Sequence, residues 1–600
     1  MSASIRASLP GIAGFSIIGL AILTAGSACS DDRGGFDPTP PGFAMETDAG
    51  ECPFQCSLDG RSVIRACSGE IVETCPSDRA CGAALCQEPC AAAAADRSSN
   101  GCDFYFQIPR YDAQLFDQSC YAAFIVNTSI QPVDVTLEYD GKALDISKSL
   151  FRTNPGDATL MAHTGPINPG ESAVLFVSDR DPTVPHVTDP LAQAFRARKA
   201  CPPGVVPALL ADIGGGTRIG PAFRVTTNVP IGLTAMYPFG GATSYIPTAT
   251  LLLPVPTWAK EHILVNGWEA NVAAPGAQFI ASEDATEVTI VPTHDIQNGT
   301  GVQGALAGTA AKYRLDKGQY LQFSQVDELS GSIVEANKPI AAFGGHACSN
   351  VPSEGNTGDA FHQQIPPFEQ WGSEYVGVGY RPRAGNEHEP MAYRIVAARD
   401  GTRLDYDPAI PPGAPTEMSA GEVVTFRSGT GDAFVVRTQD AEHPVYLAAY
   451  MTSSTVAYDN MSYGAIGDPE FVNVIPTGQY LSSYSFYADP TYGDASLVIV
   501  RAKRRGVFED VWLECAGGNL TDFRPIGTRG DYEFTRVDLA KNRGPGQRFG
   551  DHVCQNGLQR TKSEGPFTAT IWGWDYAASY AYPGGMAQRK LVATPLVPVR

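Results

Sequence analysis

Four stretches of this chain repeat one plan, and the plan belongs to β-structure. In the first, Val133, Val135, Leu137 and Tyr139 alternate with Asp134, Thr136, Glu138 and Asp140. A period of two puts one face of a strand in a core and the other in water. Its counterparts run over 285–292, 401–408 and 508–515. After each comes a glycine with an acid or amide, leading into a phenylalanine strand: Gly170-Glu171 to Phe176, Gly318-Gln319 to Phe323, Gly421-Glu422 to Phe426 and, more loosely, Gly530-Asp531 to Phe534. A proline then opens a further strand, at Pro230, Pro339, Pro444 and Pro566, spaced by 109, 105 and 122 residues. Proline is tolerated at the first residue of a strand because no ladder donor is required there. A second marker recurs at equal offset, Pro254 to Trp258, Pro367 to Trp371 and Pro476 to Tyr480. It predicts an aromatic at each junction that packs one unit on the next.

A unit of about 110 residues with roughly seven short strands has the size of an antiparallel β-sandwich. A propeller blade needs only about 40–50 residues, so the alternative is a β-propeller with two blades per repeat. The chain, at 600 residues, is too long for one core. Its 43% hydrophobic and 10% aromatic content can fill several cores and excludes wholesale disorder. The predicted fold is all-β: tandem antiparallel repeats over 102–258, 259–371, 372–480 and 481–600, behind a small disulfide-rich module at 52–101. The first repeat carries an insertion, 181–217, in which Asp189 and Pro190 open a short helix expected over 190–199.

The N-terminus reads as an address. Arg6, the apolar run from Ile12 to Leu23 and the small residues 25–28 form a secretory signal over 1–28. That run is shorter than the ~20 residues a spanning helix needs. Cys29 follows small residues as in a bacterial lipobox, where such a cysteine is diacylated and becomes the mature N-terminus; ordinary cleavage after Ala28 is the alternative. Residues 29–51, acidic and rich in Pro and Gly, read as a solvated tether. The expected location is the bacterial outer membrane or cell surface through lipidated Cys29, with a secreted or periplasmic protein as the other reading. Cysteine usage fits export. Cys52, Cys56, Cys67, Cys75, Cys81, Cys86, Cys90 and Cys102 crowd a segment too poor in large apolar residues to build a core, so disulfides must close it. Zinc is disfavoured because paired C-x2-C knuckles are missing. Cys120 with Cys201 and Cys515 with Cys554 are further candidate pairs, and Cys348 is left over.

Chemistry is sparse. A net charge of −21 repels a phosphate backbone, so no nucleic-acid partner is expected. Gly299, Gly301 and Gly304 spell G-x-G-x-x-G, but in a polar hairpin of a β repeat rather than in a βαβ unit, so no dinucleotide or other cofactor is expected. His346, His362 and Asp359 could form a metal set; the competing reading is a pair of histidines bonded to backbone, and no metal is expected. Asp494, Glu509 and Asp510 stand out only as acids for glycoside hydrolysis, and no catalytic residue is assigned. The basic run Arg501 to Arg505 reads as a solvated hairpin tip. Trp572 and Trp574 share one strand face, as do Tyr580 and Tyr582; they either close the last unit or form an exposed binding platform.

Three segments, 248–258 (TATLLLPVPTW), 326–352 (VDELSGSIVEANKPIAAFGGHACSNVP) and 359–375 (DAFHQQIPPFEQWGSEY), resemble the IgG Fc-binding protein N-terminal domain family. The segment 563–585 is similar to the ending of bacterial, lipoprotein-type members, and the similarity runs from about Cys102 to the C-terminus. The resemblance implies an extracellular binding protein. It also implies a Cys-Asp-His after the GGHAC block, where this chain has Gly358-Asp359-Ala360, so Cys348 loses its local partner. The expected function is a non-enzymatic, lipid-anchored surface protein presenting β modules to an extracellular protein or glycan. An envelope structural protein that assembles through its repeats, and a carbohydrate-active enzyme, are the alternatives.

Overall fold

The computed structural model describes residues 52–112, 117–184, 198–241 and 246–596. The secretory signal, Cys29, the tether and positions 190–197 of the expected insertion helix lie outside the described residues. Among the described residues the one α-helix is Pro89–Asp96, and the rest of the regular structure is strand with short 3-10 turns. No helix there is long and apolar enough to cross a membrane.

The N-terminal module is held by sulfur. Its three-stranded sheet, Phe54–Cys56, Ser62–Arg65 and Ile71–Thr74, and its hairpin, Ala80–Gly82 with Leu85–Gln87, bury little more than Val63, Cys81 and Ala92. The bridges Cys52–Cys67, Cys56–Cys81 and Cys75–Cys86 do what so small a core cannot. Cys90–Cys102 ties the helix to the first large sheet. Two more bridges, Cys120–Cys201 and Cys515–Cys554, lie further along the chain, and Cys348 is free and buried.

Sheet pairing explains the sequence plan. In 374–473 two four-stranded sheets face each other, one ordered Glu374–Gly377, Phe434–Thr438, Thr402–Asp407, Glu417–Met418 and the other Val423–Gly429, Pro390–Ala397, Val445–Met451, Glu470–Asn473. Tyr393 of the second meets Phe434 of the first edge-on, with ring centroids 5.0 Å apart. This is a sandwich, not a pair of propeller blades. Elsewhere one long strand serves both sheets. The first part of Ile333–Ser349 pairs with Ala259–Ile263 and Thr286–Val291, and its second part with Pro275–Ala281 and Asp359–Ile365. Phe223–Tyr237 and Gly557–Asp575 follow the same plan.

The prolines expected to open strands do so only at Pro444. Pro230, Pro339 and Pro566 lie inside the long strands. Each sits where pairing passes from one sheet to the other, for example between the partners of Ile333 to Ala336 and those of Ile340 to His346. The ladder is interrupted at that crossing, so the missing N–H costs nothing. The glycine motif is a turn. Gly170, Gly318, Gly421 and Gly530 have φ of 74°, 76°, 75° and 73°. The next residue's N–H closes the turn on Asn168, Asp316 or Ser419 in the first three, and the acid or amide side chain accepts from the same residue's N–H. A left-handed third position is what makes glycine necessary there.

The Pro-to-aromatic marker is a 3-10 turn ending in a buried ring. Trp258 and Trp371 donate their indole N–H to Leu253 and Pro366 carbonyls at 3.0 Å. Trp371 packs on Tyr446 of the following sandwich, with centroids 5.5 Å apart. Successive turns are joined by side chains: Gln370 donates to Thr257 O at 2.8 Å, and Gln479 to Gln370 O at 3.1 Å.

Candidate functional site at the hub and its loops

Four strands far apart in sequence, Thr248–Leu251, Asp359–Ile365, Glu470–Asn473 and Ala578–Pro583, meet in a hub. Their outer edges face one another, where unpaired backbone would be costly in a dry core. Side chains satisfy it. Gln363 donates to the carbonyls of Ala249 at 2.7 Å, Phe471 at 3.0 Å and Ala581 at 3.1 Å, reaching all three other strands. Gln364 accepts from Leu253 N at 2.7 Å, while its own N–H donates to Thr250 Oγ1 at 2.9 Å. Asn473 donates to Gln364 O at 2.8 Å.

The hub is also acidic. Asp359 accepts from Ser579 N at 2.9 Å, Asp468 from Ser454 N at 3.3 Å, and Glu470 from Phe471 N at 2.8 Å. All three carboxyls are buried. Burial, and for Asp359 the neighbouring Asp468 and Glu470, holds the protons of Asp359 and Glu470 on well above the usual carboxylate range, and burial raises Asp468 as well. Burial also pushes the Cys348 thiol up, with Asp359 and Asp468 adding to it, so Cys348 is an unreactive thiol.

His346, His362 and Asp359 come from neighbouring strands but do not converge. The His346 ring lies against Phe361 with its Nε2 3.2 Å from Glu269 O. His362 stacks on Phe343, its Nδ1 2.8 Å from Tyr111 Oη. Burial lowers both imidazoles to about 3, leaving them neutral. Among the described residues no group of three or more His, Cys, Asp or Glu is placed to hold a metal ion. Gly299 and Gly304 serve packing: a Cβ on Gly299 would sit 2.1 Å from Thr217 O, and one on Gly304 would sit 2.5 Å from Ile296 O.

The other sequence candidates take structural places. Asp494 pairs with Arg381, and Asp510 accepts from Asn519 at 2.9 Å. Glu509 gives its carbonyl to Arg501 at 3.0 Å. The basic run is a hairpin closed by Arg504 and Val507. Trp572 and Trp574 are buried against Tyr380, with Arg381 4.8 Å over the Trp574 ring. Tyr580 and Tyr582 are buried as well. A cleft between Trp371, Glu374, Thr477 and Leu591 holds about 80 Å³, well below the ~300–1,000 Å³ of sites that engulf small molecules.

Sequence reasoning missed the hub residues Gln363, Asp468 and Glu470. Their signal was the polar run His362-Gln363-Gln364 inside a strand where a buried face demands apolar residues.

The long 452–469 connection leaves the hub at one end. It is anchored by Arg383, fully buried with Glu389 at 2.7 Å and donating to Thr452 O at 2.8 Å.

The family model described as IgGFc binding protein matches residues 248–573, a stretch that holds three of the hub's four strands. The chain is similar to the human IgGFc-binding protein, 26% identical over 202 residues, which is 33% of this chain and 3% of the human protein. It therefore spans only a small part of that relative's length. The match over more than half of the chain shows that it belongs to the IgGFc binding protein family.

Proposed function

We propose that this chain is an exported binding protein that presents its sandwiches to an extracellular protein, held at the cell surface by a lipid on Cys29. One observation carries the reading: β-sheets braced by disulfides in the N-terminal module and near both ends of the β region meet at a hub where Gln363 reaches the three other strands, and family membership accompanies that build. Such a scaffold offers its loops, not a cavity, to a partner. The human relative's name refers to the Fc part of immunoglobulin G, which makes Fc the first ligand to try. A glycan is the second. The candidate acids support binding over hydrolysis, since Asp494 is neutralised by Arg381 and Asp510 is bonded to Asn519. The sandwiches are read as repeats over 102–258, 259–371, 372–480 and 481–600.

The test uses full-length protein from fractionated membranes. Mass spectrometry of its N-terminal peptide is expected to find diacylated Cys29, and arrays of extracellular proteins and glycans are expected to give a protein ligand. An unmodified N-terminus in the soluble fraction would overturn the anchor. Hydrolysis across a glycan panel, with no stable binding, would overturn the function.

A further inference from the structure

We propose that the loops at one end of the hub are the docking face of this protein, and that the partner presents a basic protein surface carrying apolar side chains. The inference rests on the reading above, as a binding protein, and names its site.

The connections 350–358 and 452–469 and the turn Asp575-Tyr576-Ala577 lead into three of the hub strands. They are tied into one surface. Ser453 N donates to Val351 O at 2.7 Å, Gly467 N donates to Asp575 O at 2.8 Å, and Ile466 bridges Tyr576. On these loops Tyr576 is 67% exposed, Ile466 41% and Val456 39%. Single exposed apolar residues are ordinary on a surface. Here Ile466 and Tyr576 are joined by a backbone bridge and Val456 lies on the same 452–469 connection, and exposed apolar side chains grouped on tied loops mark interaction sites.

The patch is held in shape from beneath. Arg383 donates to Thr452 O and to Ile466 O, fixing both ends of the stretch 452–466, and lies 3.8 Å under the Tyr463 ring. Val456, β-branched, sits at φ 54°, with Ala465 at 64° and Ala577 at 46°. Side chains rarely adopt that region, so these tips are set in place by their surroundings. A preset loop loses less freedom when it binds. At its surface the 452–469 connection offers Tyr458, Asn460, Ser462 and Gly464, residue kinds common in protein-binding loops.

Charge selects the partner. Glu269, Glu354 and Asp459 are exposed around the patch. Glu269 accepts from Ser353 of the 350–358 loop, and both glutamates act on Tyr458. Arg427 faces them, paired with Asp459 at 3.4 Å and 4.9 Å over the Tyr458 ring. At the third loop the exposed Arg543 pairs with the buried Asp575, so the face carries three exposed acids against two bases, and the excess of acid favours a basic partner. Aliphatic Ile466 bridged to Tyr576, with Val456 on the same connection, suits a protein surface better than the purely aromatic platform a sugar ring stacks on.

The experiment pans a random phage-displayed peptide library against the full-length protein. It then measures the selected peptides on V456S/I466S/Y576S and on E269Q/E354Q/D459N, with melting curves to show both variants folded. Enriched peptides are expected to be rich in Lys or Arg with apolar neighbours. The apolar variant is expected to weaken them about tenfold or more, and the charge variant to remove most of the salt dependence. Peptides that bind both variants as they bind the parent would overturn this face while leaving a binding protein. Failure of the parent to enrich any peptide or to hold any arrayed protein would overturn both readings. A glycan bound by the parent and lost in the apolar variant would overturn the protein partner.

Discussion

Asp359 illustrates what one buried residue does here. Its carboxyl faces Asp468, Glu470 and the Cys348 thiol, while Arg383 acts on Asp468. In the unfolded chain such carboxyls ionise near ~4, but in the fold their protons are held to higher pH. The folded state therefore binds more protons above about pH 4, and stability falls as pH rises through that range. The neutral histidines His346 and His362 act oppositely, losing stability as pH falls from ~6.5 toward their lowered values. Comparing a variant with its parent cancels the histidines. Asp359→Asn is expected to melt higher than the parent at about pH 8 and equally at about pH 4, by calorimetry at both. The reverse order would show that Asp359 is ionised in the fold. The sequence marked Asp359 and both histidines as unusual. It could not say that they point apart, because the direction of a side chain depends on which sheet each strand joins.

At the scale of the element, turns and crossings were the most legible features. Alternation identified strands, and the glycine motif marked a recurring position that the structure shows to be a left-handed turn, whose reason is local. The prolines were read half correctly: they mark a break in hydrogen bonding, but the break lies inside a long strand that changes sheets. A glycine can also be required by a neighbour distant in sequence. Gly331 has φ 86°, and a Cβ there would sit 2.1 Å from Gly421 O on the next sandwich. Gly308 has φ 70° with nothing within 4 Å. Gly331→Ala is expected to cost about 2–4 kcal/mol and Gly308→Ala only about 1–2, by chemical denaturation. Equal costs would mean that the two sandwiches do not press together there.

For the whole molecule, the hub decides cooperativity. Gln363→Leu removes the donor that serves Ala249, Phe471 and Ala581. It is expected to cost about 2–3 kcal/mol, since the two amide hydrogens shared among three buried carbonyls are lost. The denaturation midpoint should fall for probes in every sandwich; a shift confined to 259–371 would show that the sandwiches unfold independently. The sequence by itself determined the all-β class, the spacing of the repeating plan, the turn positions and the crowding of cysteines. Each of these is set by neighbours a few residues apart, through side-chain alternation, left-handed glycine and the missing proline N–H. Only the tertiary structure decided that the final strands meet edge to edge, that Gln363 closes them and that the 350–358 and 452–469 loops share one face. The Gln363 bonds alone join residues 108 to 218 positions apart, and a periodic pattern carries no information about which of its copies touch.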